Sequence, residues 1–226
     1  MTARGLRARW IPRQILSRPA RVVIEPAAQN VPSLRTAAGM MPCMDGVTEL
    51  VFETHSLSED NERGVATGWH DGRLSSRGRE LARELGERRR DDGIEAVFAS
   101  DLGRAVETAT IAFRGSDIPV MYDWRVRECD YGRSNGTLAA DLHADRTRYL
   151  DEPYPDGESW REAVARVNRF LGDIPLRWDG YRVLVIGHVA TRWGFDHFIN
   201  GDPLDQLLVA DFGWREGWEY RPRSRG

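Results

Sequence analysis

The stretch that decides the fold is Arg182-Val183-Leu184-Val185-Ile186-Gly187-His188 (RVLVIGH). Its four central residues are all apolar, with no polar alternation of the kind a strand with one wet face would show. Strands buried on both faces read this way, and they belong to parallel sheets covered by helices. Glycine and histidine follow at once, so a polar group stands where the strand runs out.

Outward from this strand, Glu49–Glu53 and Ile94–Ala99 carry the same consecutive apolar character. Pro119–Tyr122 is a weaker fourth strand, whose leading proline suits a strand start or an edge. Helical patterns fill the intervals. Ser75 or Ser76 caps one helix to about Arg90, and Ser100 caps a second to about Phe113. Ser159-Trp160-Arg161-Glu162 is a capping box, followed by Ala163, Val164, Val167, Phe170, Leu171 and Ile174 at helical spacing. Strands alternating with helices predict an α/β fold, a mostly parallel central sheet with helices on both faces.

The polar residues gather after the strands. Thr54-His55-Ser56 follows the first, Ser100-Asp101-Leu102-Gly103-Arg104 the second, Arg125-Val126-Arg127-Glu128 the weak third, and Gly187-His188 the fourth. Ligands of open α/β sheets sit beyond the carboxyl ends of the strands, so parallel strands would bring these groups into one cleft. A lone histidine at a strand end also reads as a buried, backbone-bonded residue. Metal binding has little local support, since His55 and Glu59 form HxxxE without a second histidine. A serine hydrolase lacks the GxSxG turn. Phosphoryl transfer fits the set better: histidine as nucleophile, arginine and a second histidine as charge clamp, glutamate as proton donor.

Composition narrows the classes. The chain has 226 residues, 41% hydrophobic and 30% charged, with a net charge of -3 that offers no basic face to nucleic acid. All its basic side chains are arginine; without lysine there is neither Schiff-base chemistry nor a P-loop lysine. No apolar run is long enough to span a membrane. Cys43 and Cys129 form no CxxC pair and read as free thiols, which suits a reducing cytoplasm, the expected location. Residues 1–46 are expected to be a disordered Arg/Pro-rich extension, with seven arginines against the single acid Glu25 over residues 1–44. The domain is expected over 47–220, with a loose tail at 221–226.

Several motifs in order carry a resemblance. Asn61 lies six residues past His55, and Gly68-Trp69 follow. Then come Leu74-Ser75-Ser76-Arg77-Gly78, Ser100-Asp101-Leu102-Gly103-Arg104-Ala105-Val106-Glu107-Thr108, Arg127-Glu128 with Tyr131-Gly132, Gly157-Glu158-Ser159, and Gly187-His188. Over about Val47 to Leu208 this resembles the histidine phosphatase superfamily, its phosphoglycerate mutase-like branch, whose three-layer sandwich is therefore expected. The departures are specific. Thr54-His55-Ser56 replaces R-H-G, Val65 replaces a further arginine, and Asn135-Gly136 stands at W-E-G without tryptophan.

The resemblance implies a phosphatase acting on a small-molecule phosphate monoester through a phosphohistidine on His55, without metal or organic cofactor. Glu128 would protonate the leaving group, and His188 and Arg104 would hold the phosphoryl oxygens, with Asn61, Thr54 and Ser56 as further phosphate contacts. Thr54 removes one arginine from that site, and Arg192, four residues past His188, is expected to reach back and restore the charge, with Arg63 and Arg133 as weaker candidates. The alternatives are a slow enzyme or a non-catalytic binder of phosphorylated ligands; a phosphoglycerate mutase is a further one, disfavoured by the loss at Val65. The expected partners are a small phosphorylated substrate and, as a homodimer, a second copy of the chain.

Overall fold

The structure, a computed structural model, describes residues 48–222. Cys43 and the arginine-rich extension lie outside the described residues, as do 223–226 of the tail. The first two residues of that expected loose tail are anchored: Arg221 pairs with Glu49 at 2.8 Å, and Pro222 is buried.

The elements run β1 (Glu49–Thr54), α1 (Glu59–Glu62), β2 (Val65–Ala66), α2 (Ser76–Arg89), β3 (Ala96–Ala99), α3 (Gly103–Ala112), β4 (Val120–Tyr122), β5 (Thr137–Leu138), α4 (Ala139–Asp145), α5 (Trp160–Trp178), β6 (Arg182–Gly187), α6 (Val189–Phe195), α7 (Leu204–Val209) and β7 (Trp218–Tyr220). The main sheet has the order β4-β3-β6-β1-β7. Its first four strands are mutually parallel, and β7 pairs antiparallel with β1 at the edge. A two-stranded ribbon of β2 and β5 stands apart.

The consecutive apolar residues of β1 and β6 divide between two cores. Leu50, Phe52, Val183 and Val185 face α5, with Val167, Phe170 and Ile174 against them. Val51, Leu184 and Ile186 face the other way, onto Leu85 of α2 and Ala105, Ala109 and Ala112 of α3. Each such buried aliphatic side chain contributes about 1.5–3 kcal/mol, so both helical layers are needed to cover the sheet.

Caps largely follow the sequence signals. Ser75 caps α2, and Ser159 with Glu162 makes the capping box of α5. Ser100 does not cap α3: its hydroxyl accepts from Leu102 N and closes the turn two residues earlier. Helices α2 and α3 meet at Gly86, where an added Cβ would stand 2.2 Å from the Ala112 carbonyl oxygen. Overpacking costs about 1–3 kcal/mol, so Gly86→Ala should lower the thermal midpoint by several degrees in a scanning calorimeter. An unchanged midpoint would show that the helix pair is not held at this contact.

The register fixes the functional edge. Thr54 pairs with Gly187, Ala99 with Ile186, and Ala99 with Tyr122, so the four parallel strands end level. Their continuations stay bonded: His55 N donates to Gly187 O, and Ser100 N to Ile186 O, both at 3.0 Å.

Candidate active site

The level strand ends place His55 and His188 side by side, with ring centroids 5.0 Å apart. Arg104 enters from the first turn of α3 and is 2% exposed. Its Nε donates to Nε2 of His55 and its Nη2 to Nδ1 of His188, each at 3.2 Å. Nη2 also donates to the Gly68 carbonyl at 2.9 Å, and Nη1 to the His70 carbonyl at 3.3 Å. Gly68 has φ +56, and a Cβ there would overlap Asn135, so only glycine presents its carbonyl to Arg104 in this way.

These contacts set both tautomers. Nδ1 of His55 lies 2.8 Å from the Ser56 carbonyl and must carry its proton, leaving the Nε2 lone pair beside Arg104. Nδ1 of His188 accepts from Arg104, so its proton is on Nε2. That nitrogen is buried without a hydrogen-bond partner among the described residues. His55 therefore keeps an unprotonated lone pair, held in the Arg104 Nε–H bond, and His188 presents an unsatisfied donor. Burial, reinforced by the Arg104 charge, pushes the His55 pKa down to about 3 and holds His188 well below the ordinary histidine value. Both rings are neutral near pH 7.

Glu128 is buried against the start of α6. One carboxyl oxygen accepts from Cys129 N at 2.9 Å and Ala190 N at 3.1 Å, and the other from Val189 N at 3.3 Å. Burial nevertheless raises its pKa above the ordinary glutamate value, against the pull of these amides and of Arg104. A carboxyl that keeps its proton longer than usual is suited to general acid work.

The remaining expected residues divide. Thr54 accepts from the indole N–H of Trp214 at 3.2 Å, which leaves its own O–H free to donate. Ser56 is buried, its amide bonded to Thr108 Oγ1 at 3.0 Å, while Thr108 donates to the Arg104 carbonyl at 2.7 Å. This ties the loop after β1 to α3. Asn61 is exposed, and its carboxamide oxygen accepts from Ser58 N at 3.0 Å in a capping box. Its observed work is to cap α1.

Arg192 corrects the sequence reading. Its Nε pairs with Asp196 at 3.2 Å, its Nη1 donates to the Phe212 carbonyl, and its guanidinium stacks on Phe212 and Trp218. The side chain holds the chain leading into β7 and does not replace the missing charge beside His55. Arg63 and Arg133 pair with Asp60 and Asp156 at exposed positions.

Arg166 was not anticipated. It is 2% exposed and donates to the carbonyls of Arg125 (2.9 Å), Arg127 (2.8 Å) and Glu128 (2.6 Å) and to the Glu158 carboxylate (2.6 Å). It thus fixes the peptide that carries Glu128, assisted by Trp69, whose indole N–H donates to the same Glu128 carbonyl at 2.6 Å. The signal in sequence was one arginine inside the apolar stripe of α5, between Ala163-Val164 and Val167. No cluster of three metal-ligating side chains occurs among the described residues, and no described helix is long and apolar enough to cross a membrane.

Comparison with known proteins points the same way. The sequence pattern of the Histidine phosphatase superfamily (branch 1) matches residues 50–208. The 2,3-bisphosphoglycerate-dependent phosphoglycerate mutase of Neisseria gonorrhoeae (strain NCCP11945) is 33% identical over 201 residues, covering 71% of this chain and 88% of that protein. Among solved structures, Bacillus stearothermophilus YhfR superposes with a TM-score of 0.69 at 26% identity, over 76% of this chain and 90% of its own. Mycobacterial glucosyl-3-phosphoglycerate phosphatase shares the fold with a TM-score of 0.63 at 21% identity, over 72% of this chain and 84% of its own. A mutase is thus similar to this chain in sequence and a phosphatase in fold.

Proposed function

Since the chain belongs to the histidine phosphatase superfamily, we propose that it hydrolyses a small phosphate monoester through a phosphohistidine on Nε2 of His55. The observation that carries this reading is the pair of opposite tautomers. Arg104 leaves a lone pair on His55 and a proton on His188 Nε2, the two things an incoming phosphoryl group requires. In the first step the Arg104 Nε–H turns from His55 Nε2 to a phosphoryl oxygen, the freed Nε2 lone pair forms the N–P bond as the ester P–O bond breaks, and Glu128 gives its proton to the departing alkoxide. In the second step Glu128 takes a proton from water, whose oxygen attacks phosphorus and releases His55. Arg104 supplies the positive charge for both steps, and no metal enters the scheme.

Four of the five N–H donors of Arg104 are already engaged, so it acts here first by orienting both histidines. The hydroxyl of Thr54, the Nε2–H of His188 and the one free Arg104 N–H remain for phosphoryl oxygens. This is a site with less charge than one bearing a second arginine fork.

The pH dependence follows from the two shifted groups. His55 must be neutral, which holds down to about pH 3, and Glu128 must be protonated in the first step, which fails as pH rises through its raised pKa. With a simple alkyl phosphate and chelator present, kcat/KM should therefore fall on the alkaline side. Glu128→Gln should be slower by about 10²–10⁴-fold and keep only the part of that limb due to ionisation of the substrate. The same limb in both proteins would remove Glu128 as the acid, and loss of turnover on adding chelator would remove the metal-independent reading.

The mutase reading draws support from the 33%-identical relatives. A mutase must also hold a second anionic group, and Val65 contributes no charge where the superfamily resemblance calls for arginine. Interconversion of phosphoglycerates in the presence of 2,3-bisphosphoglycerate would favour it. Thermal stabilisation by vanadate without any turnover would favour a binder of phosphorylated ligands.

A further inference from the structure

Thr54, which stands where the resemblance calls for an arginine, has an unusual neighbour. Trp214 is 62% exposed, the second most exposed of the large apolar side chains among the described residues. It is nevertheless held in place by its indole N–H, which bonds the Thr54 hydroxyl one residue from His55. The segment presenting it is anchored from beneath. Arg192 donates to the Phe212 carbonyl and packs over the adjoining Phe212 and Trp218 rings, 4.8 Å and 4.5 Å from their centroids. Asp196 fixes Arg192 at 3.2 Å and accepts from Tyr220 of β7 at 2.7 Å.

A single exposed aromatic is ordinary on a protein surface, and what distinguishes this one is its fixed hydrogen bond beside His55. Here its polar edge is directed to Thr54, and a broad apolar face is left uncovered beside the nucleophile. The arginine that would bring charge to this position is absent, and an aromatic surface adjoins the residue that replaces it. We infer that Trp214 is a specificity-determining platform that stacks on the leaving group, so that the preferred substrates are phosphate esters whose alcohol bears a flat, apolar ring. The inference rests on the phosphatase reading only for where the phosphoryl group lies. Aromatic contact would favour such groups over chain-like ones of similar size.

Binding separates the two claims, because phosphonates occupy the site without being hydrolysed. Benzylphosphonate and propylphosphonate would be titrated calorimetrically into the wild-type protein, Trp214→Ala and Trp214→Phe. The wild type should bind the benzyl ligand about tenfold more tightly, an aromatic stacking effect; Trp214→Ala should abolish the preference and Trp214→Phe, a ring without the anchoring N–H, keep only part of it. The same assays would follow benzyl and propyl phosphate hydrolysis, whose leaving alcohols have similar acidity. A benzyl preference that survives in Trp214→Ala overturns the platform, as does equal or absent binding of both phosphonates by the wild type. Phosphonate binding with the expected preference but no hydrolysis of either ester supports the platform and removes the phosphatase reading instead.

Discussion

Arg104→Lys should fold with the charge in place and yet lose about 10²–10³-fold in kcat, the cost of a misaligned group in a preorganised anion site. The reason is geometric. One guanidinium reaches Nε2 of His55, Nδ1 of His188 and the carbonyls of Gly68 and His70 at once. A lysine ammonium is a point donor on a flexible stem and cannot reproduce that fork. Without the Arg104 donor at Nδ1, His188 is free to take the other tautomer and present a lone pair to the phosphoryl oxygens. Arg104→Leu should lose more, because it also removes the charge and leaves the buried Gly68 carbonyl unpaired at about 1–3 kcal/mol. Steady-state kinetics with matched thermal melts separate the effects. A near wild-type kcat in Arg104→Lys would show that charge alone matters and that the tautomer argument is wrong.

His55→Ala should have the larger effect, on the order of 10⁴-fold or more in kcat, since no neighbouring group can take over as nucleophile. Vanadate affinity should fall much less, because Arg104, His188 and Thr54 stay in place. The contrast matters: loss of rate with retention of anion binding assigns His55 to the chemistry, whereas parallel loss of both would make it a binding residue. Activity indifferent to this substitution would end the proposal.

The sheet was legible because its strands are buried on both faces. The unbroken apolar character of RVLVIG and its counterparts leaves little choice of environment, and the parallel register then levels His55, Ser100 and His188. β7 escaped notice because Trp218-Glu219-Tyr220 is three residues long, alternates, and lies at an antiparallel edge. The error over Arg192 has the same root. Its destination is built from Asp196, Phe212 and Trp218, and two of these belong to the segment whose place in the sheet local sequence does not specify. Asn61 could have been read otherwise, since Ser58-Glu59-Asp60-Asn61 places a short polar acceptor three residues past a serine, as a capping box does. Strand ends and family likeness together point to Arg104, Glu128 and His188. Their tautomers and shifted acidities depend on burial and on angles that no spacing encodes.

The account stands on covalent chemistry at one nitrogen, and trapping that bond tests it most directly. The protein would be mixed with a phosphate monoester radiolabelled at phosphorus, quenched in alkali within the first turnover, digested and mapped. Label is expected on the peptide containing His55, stable to alkali, released by mild acid, and missing from His55→Ala. Label on any other residue, or undiminished label in His55→Ala, would contradict it.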